Sequence, residues 1–170
     1  MFGDLHIHMI LDGVYYRAAI DAQKEHPLDG LVRARLSDYQ ARGVCLLRDG
    51  GDAWGVSLRA RELAGEYGID YRSPAFPIYR RGHYGAFIGR GFDTEDEYHA
   101  LLDEAGEKRA DFIKLMISGL IDFDHFGVLT EPGPEPQDIR RMIELAHAAG
   151  FAVMAHANGD RAVTAALQAG

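Results

Sequence analysis

A single cysteine, Cys45, leaves this chain of 170 residues unable to form an internal disulfide or a cysteine-based zinc site. Its apolar neighbours Val44, Leu46 and Leu47 predict a buried strand position for it. Basic charge is also scarce: 18 Lys and Arg face 26 Asp and Glu, and a net charge of -8 lacks the positive field that nucleic acid or an anionic membrane would require. No stretch reaches the roughly 18 uninterrupted apolar residues of a membrane span. The opening MFGDLHIHMILDG has no basic leader and carries two histidines and two aspartates, so it reads as neither signal peptide nor anchor. Low-complexity segments and linkers are missing too. These absences predict a soluble, cytoplasmic chain forming one domain or part of one, with a small-molecule partner and with homo-oligomerisation left open.

What is present is alternation. Short apolar runs are followed by longer amphipathic ones five times over, the pattern of βαβ units and a parallel sheet. Strands are predicted at about Gly3 to Ile10, Val44 to Arg48, Tyr71 to Tyr79, Asp111 to Ile117 and Phe151 to His156. The third of these contains Pro74 and Pro77, which cannot donate to a central ladder. Helices are predicted from Leu28 to Ala41, stopped by Gly43, and from a cap at Ser57 to Gly68. Others follow Thr94, with Glu97 completing a capping pattern, and span Ile139 to Ala146 and Asp160 to the last residue. Five βα units suit either an open doubly wound sheet or the first part of a (βα)8 barrel, which usually needs about 250 residues. Length favours the sheet; the chemistry at the strand ends favours the barrel.

In Asp4-Leu5-His6-Ile7-His8 the two histidines are two apart, so on a strand both rings share a face while Leu5, Ile7 and Met9 take the other. Eight histidines in this length would produce such a triplet by chance roughly 0.4 times, so its place at the end of a predicted strand carries the weight. Lys114 interrupts the apolar run Phe112 to Ile117. Burying an unpaired ammonium costs several kcal/mol, so the amine should be neutral, paired or modified. A neutral amine can take up carbon dioxide as a carbamate able to bridge two metal ions. The alternative is a lysine that snorkels to solvent or pairs with Asp111 or Asp122. His156 ends the last predicted strand just before a glycine turn. Two imidazoles and a carboxylate-like oxygen suit zinc, with manganese, iron or nickel able to take its place.

Taken together, His6-Ile7-His8, the setting Phe112-Ile113-Lys114-Leu115-Met116-Ile117-Ser118-Gly119 and the run Ala155-His156-Ala157-Asn158-Gly159 resemble the amidohydrolase superfamily. The imidazolonepropionase-like and prolidase-like members are the nearest in flavour, and Arg48-Asp49-Gly50-Gly51 is similar to a segment common among them. The resemblance implies a (βα)8 TIM-type barrel, represented by its first five units, and one or two divalent ions. It implies hydrolysis of an amide, cyclic amide or dipeptide by a metal-bound hydroxide. His6, His8, Lys114 as a carbamate, and His156 would be the metal ligands. The family also supplies a histidine after strand six and a general-base aspartate after strand eight. Neither falls within these residues, so a partial sequence is expected and the catalytic base is not among them. By position, His83 and Tyr84 in the segment after strand three, and Asn158, are candidates for substrate contact. His26, His99, His125 and His147 lie away from the strand ends. Two other readings compete: an ester, lactone or phosphotriester hydrolase on the same centre, and a non-catalytic α/β module.

Overall fold

A computed structural model describes residues 2 to 170, which form two compact units, Met1–Phe76 and Pro77–Gly170. In the first unit β1 (Phe2–Ile7), α1 (Tyr16–Asp21), α2 (Asp29–Ala41), β2 (Val44–Asp49), α3 (Val56–Ala64) and β3 (Asp70–Arg72) follow one another. The strands form a parallel three-stranded sheet in the order β1-β2-β3. Helix α2 buries Val32 and Leu36 completely. These two are four apart and so share one face, and each contributes about 1.5–3 kcal/mol by leaving water. Leu31, one step round the helix, is 39% exposed.

The second unit contains β4 (Pro77–Arg80), β5 (Arg90–Phe92), α4 (Glu95–Glu107), β6 (Ile113–Met116), α5 (Pro136–Ala148), β7 (Val153–His156) and α6 (Gly159–Ala169). Its four strands are again parallel, in the order β5-β4-β6-β7. Thr94 caps α4 as its sequence predicts, its hydroxyl accepting from the Glu97 N–H at 3.3 Å. All four residues of β6 are buried, as expected of a central parallel strand covered on both faces. The architecture is mixed α/β with parallel sheets. Among the described residues no helix is long and apolar enough to cross a membrane.

Four local expectations are corrected. The strand predicted from Tyr71 to Tyr79 is two strands in two different sheets, β3 and β4. Between them the Ser73 hydroxyl accepts the Ala75 N–H at 3.0 Å, Ala75 takes a φ of 66°, and the Phe76 N–H returns to the Pro74 carbonyl at 2.9 Å. A turn closed this tightly cannot run on as one ladder. The short strand β5 and helix α1 were both hidden in segments that sequence periodicity leaves irregular. Ser57 lies inside α3 rather than capping it, its hydroxyl 2.7 Å from that of Ser73. Cys45 is half-buried on β2 rather than buried.

The cap of α3 is instead a reaching carboxylate. Asp52 is buried, and it accepts from the N–H groups of Trp54 at 2.9 Å, Val56 at 3.1 Å and Ser57 at 2.7 Å. Burial, chiefly, and the neighbouring Asp49 push its pKa up to about 6 against those three bonds. Because the folded value lies above the ordinary 3.8, this group favours folding below about pH 4 and loses that contribution as pH rises through about 6. The difference corresponds to about 3 kcal/mol. Urea unfolding of wild type and Asp52→Asn at pH 4 and pH 7 should therefore show wild type losing about 3 kcal/mol relative to the variant on going to the higher pH. An unchanged difference would show that Asp52 titrates normally.

Candidate functional site

Each unit presents one pair of candidate donors. In the first, His6 lies on β1 and His8 one residue past its end, with ring centroids 5.5 Å apart. Ile7 and Met9 are buried on the opposite side, as alternation predicts, whereas Leu5 is 50% exposed because β1 is the edge of its sheet. Two imidazoles on one ion, at nitrogen–metal distances of about 2.0–2.1 Å and a near-tetrahedral angle, would have centroids about 5 Å apart. The observed spacing is compatible with that arrangement.

The His8 ring is held by the segment that follows β2. Its Nδ1 is 3.0 Å from the Gly51 carbonyl oxygen, which can only accept, so Nδ1 carries the proton and the lone pair is on Nε2. A β-carbon at position 50 would lie 2.6 Å from Nε2, closer than real atoms approach, so the ring's place requires glycine there. Gly51 takes a φ of +81°, and a β-carbon on it would meet Phe76 Cα at 2.9 Å. Beneath them Asp49 is fully buried and accepts from the Gly51 N–H at 2.5 Å, the Met9 N–H at 3.0 Å and the Tyr71 hydroxyl. Burial pushes the Asp49 carboxyl up despite these donors. Arg48 Nε donates to the Leu5 carbonyl at 2.8 Å, tying β2 to β1.

In the second unit Lys114 is fully buried, so it does not snorkel to solvent. It is the second residue of β6, deeper than the strand end where sequence reasoning put it. Parallel register pairs Lys114 with Met154 and Met116 with His156, which sets Lys114 and His156 on the same face of neighbouring strands. Burial first, and then the charge of Lys114, lower the pKa of His156, while its contact with the Gly119 carbonyl acts the other way.

The loops around His156 gather the residues expected to meet substrate. Tyr84 lies with its ring centroid 5.1 Å from that of His156. The Asn158 amide nitrogen is 3.2 Å from His156 Nε2 and donates to the Gly119 carbonyl at 2.9 Å, while its N–H donates to the Ser118 hydroxyl at 2.7 Å. Asn158 thus binds the start of α6 to the loop after β6. His83 is one step further out, its Nδ1 2.9 Å from Glu131.

Glu131 is the residue that sequence reasoning missed. One of its oxygens meets His83 and the other accepts the Tyr84 N–H at 2.9 Å. Burial, the largest influence, pushes its carboxyl up, but His83 and the N–H groups of Tyr84 and Gly133 together hold it below its usual value. Its partners are 47 and 48 residues away in sequence, and an isolated glutamate in a loop gives no signal of them. The loop that carries it closes through an antiparallel bridge between Ile121 and Leu129 and exposes Phe123 and Phe126 at its tip. His99 and His125 pair with Glu95 and Asp122 on exposed surface, apart from these groups.

Among the described residues no three His, Cys, Asp or Glu side chains are gathered as around one ion. The candidate donors come as His6 with His8 and Lys114 with His156, and a lysine joins such a set only as a neutral amine or a carbamate. Two imidazoles in a glycine-made cradle, and a buried amine beside a third imidazole, are donor chemistry that fits a divalent ion.

Comparison with known proteins gives a likeness in structure. No protein-family model and no curated protein sequence matches the chain. It is similar to a solved prolidase complexed with N-methylphosphonate-L-proline, at 22% identity and a TM-score of 0.70, over 99% of this chain and 45% of that one. It is also similar to the A. niger ochratoxinase, at 19% identity and TM-score 0.67, over 99% of this chain and 44% of that one. A Xaa-Pro dipeptidase with bound methionine in its active site matches at 16% identity and TM-score 0.66, over 99% and 45%. These neighbours are hydrolytic enzymes of the amidohydrolase superfamily, a barrel type of fold. At such identities the likeness is one of fold, and the chain spans a little under half the length of the structures it matches.

The cradle can be tested directly. Gly50→Ala should displace the His8 ring and cost about 1–3 kcal/mol through overpacking, read as a lowered urea midpoint together with shifted His8 imidazole resonances. A variant as stable as wild type, with unmoved His8 signals, would show that the ring does not occupy that space.

Proposed function

We propose that this chain is the N-terminal part of a (βα)8 barrel domain, contributing about its first five βα units to a metal-dependent hydrolase of amide bonds. The observation that carries the reading is the presence, in each unit, of a donor pair on parallel strands, in a chain whose structural neighbours are hydrolytic enzymes. His6, His8, Lys114 and His156 are its proposed ligands. Zinc suits them best, as one ion or two, with manganese, iron or nickel as substitutes. Bound there, a divalent ion would lower the pKa of water toward about 7 and polarise the scissile carbonyl.

The protein's own residues do the rest. His8 offers Nε2 because Gly51 takes the proton-bearing Nδ1. Lys114, buried among apolar neighbours, is placed to react as a neutral amine: its nitrogen bonds to the carbon of carbon dioxide and loses a proton, giving two carbamate oxygens. Tyr84 packs on His156 and fixes the ring plane. His83 and Tyr84, locked to Glu131, form one wall for substrate, and the loop tip with Phe123 and Phe126 offers apolar contact beyond it. Asn158 holds the turn from which His156 projects and can reach substrate through its amide. A small amide, cyclic amide or dipeptide is the proposed substrate, in a reducing cytosol that suits a chain with one cysteine.

Elemental analysis of the purified chain is expected to find zinc or a related divalent ion, lost in His6→Ala and in Lys114→Ala. A form extended to the natural stop codon is expected to hydrolyse members of a dipeptide and amide panel. Absence of bound metal from both the short and the extended wild type would overturn the hydrolase reading in favour of a non-catalytic α/β module.

A further inference from the structure

We propose that Asp49 is a positioning residue that fixes His8 in its Nδ1–H tautomer and so presents Nε2 as the ligand atom. The proposal rests on the reading of His8 as a metal ligand, but its main readout does not require metal. Asp49 is the last residue of β2 and fully buried. Its Oδ1 accepts the Gly51 N–H at 2.5 Å, and its Oδ2 accepts the Met9 N–H at 3.0 Å together with the Tyr71 hydroxyl.

Two of those three donors bracket His8. The Met9 N–H belongs to the peptide that joins His8 to Met9, so one carboxylate oxygen fixes the main chain from which the ring hangs. Gly51 supplies the carbonyl that meets His8 Nδ1 at 3.0 Å. That carbonyl cannot swing away, because the N–H before it is held by Asp49 and the N–H after it, of Asp52, donates to the Ala75 carbonyl at 3.3 Å. Side chain, peptide and ring thus form one relay: Asp49 aims Gly51, and Gly51 selects the tautomer of His8.

The relay needs a carboxylate. Both oxygens of Asp49 face donors, whereas an asparagine of the same shape has one acceptor oxygen and an NH2 group. Whichever way the amide is turned, it sets donor against donor, at Gly51 or at Met9 and Tyr71. One end of the bracket is then released.

The test is a long-range 1H–15N correlation spectrum of the histidine-labelled chain, recorded metal-free, for wild type, Asp49→Asn and Tyr71→Phe, with zinc titration and circular dichroism alongside. Wild-type His8 is expected as a single Nδ1–H tautomer. Folded Asp49→Asn should show a mixture containing the Nε2–H form and roughly tenfold weaker zinc binding. Tyr71→Phe removes a donor from Asp49 but leaves both peptide bonds, so it should be less stable than wild type with the His8 tautomer unchanged. That contrast separates positioning from simple loss of stability. A wild-type His8 in the Nε2–H form, a folded Asp49→Asn that keeps the wild-type tautomer, or a shifted tautomer in Tyr71→Phe would each overturn the proposal. Should Asp49→Asn fail to fold, the wild-type and Tyr71→Phe spectra still decide. Failure of wild type to bind zinc while its His8 is Nδ1–H would count against the hydrolase reading alone.

Discussion

Both oxygens of the buried Asp49 carboxylate are occupied by donors, and the arrangement at the end of the first sheet depends on that occupation. Desolvating a carboxylate is expensive unless hydrogen bonds replace the lost water, and here they come from two peptide groups and a phenol in three separate stretches of chain. The consequence is a rigid junction. β1 runs out at Ile7, the Gly50 N–H closes on the Ile7 carbonyl at 2.7 Å, and the His8 ring drops into the space that the absent side chain of Gly50 leaves. A second buried carboxylate, Asp52, extends the junction into α3. Two acids this close raise one another's cost of ionisation, which is one reason Asp52 stands apart from the exposed carboxylates of the chain.

In the second unit the organising constraint is the register between β6 and β7. A parallel ladder that pairs Lys114 with Met154 must also pair Met116 with His156, so the amine and the imidazole fall on one face without any side-chain contact having to arrange it. A slip of one residue would send one of them to the other face. Around them the loops are fixed by polar bonds: Glu131 joins the loop after β6 to His83 and Tyr84, and Asn158 joins the start of α6 to Ser118 and Gly119. His156 is in this way braced by Tyr84 on its face and Gly119 at its edge.

Local sequence determined a good deal. The period of its apolar residues located most of the helices and strands, because α2 and α5 bury residues at helical spacing and β6 is apolar almost throughout. The prolines at 74 and 77 correctly marked the weak point of the third predicted strand, and glycines 43 and 150 marked helix ends. His6, His8, Lys114 and His156 could be singled out because histidines and a lysine are conspicuous within or at the end of apolar runs. What sequence could not decide is anything that depends on partners distant along the chain. Asp49 looked like part of a turn and Glu131 like a loop residue; Ser57 looked like a cap when the cap is Asp52. Each misreading has one physical cause. A hydrogen bond or a buried charge draws its energy from which groups meet in space, and local sequence records the period of burial but not the identity of the neighbour.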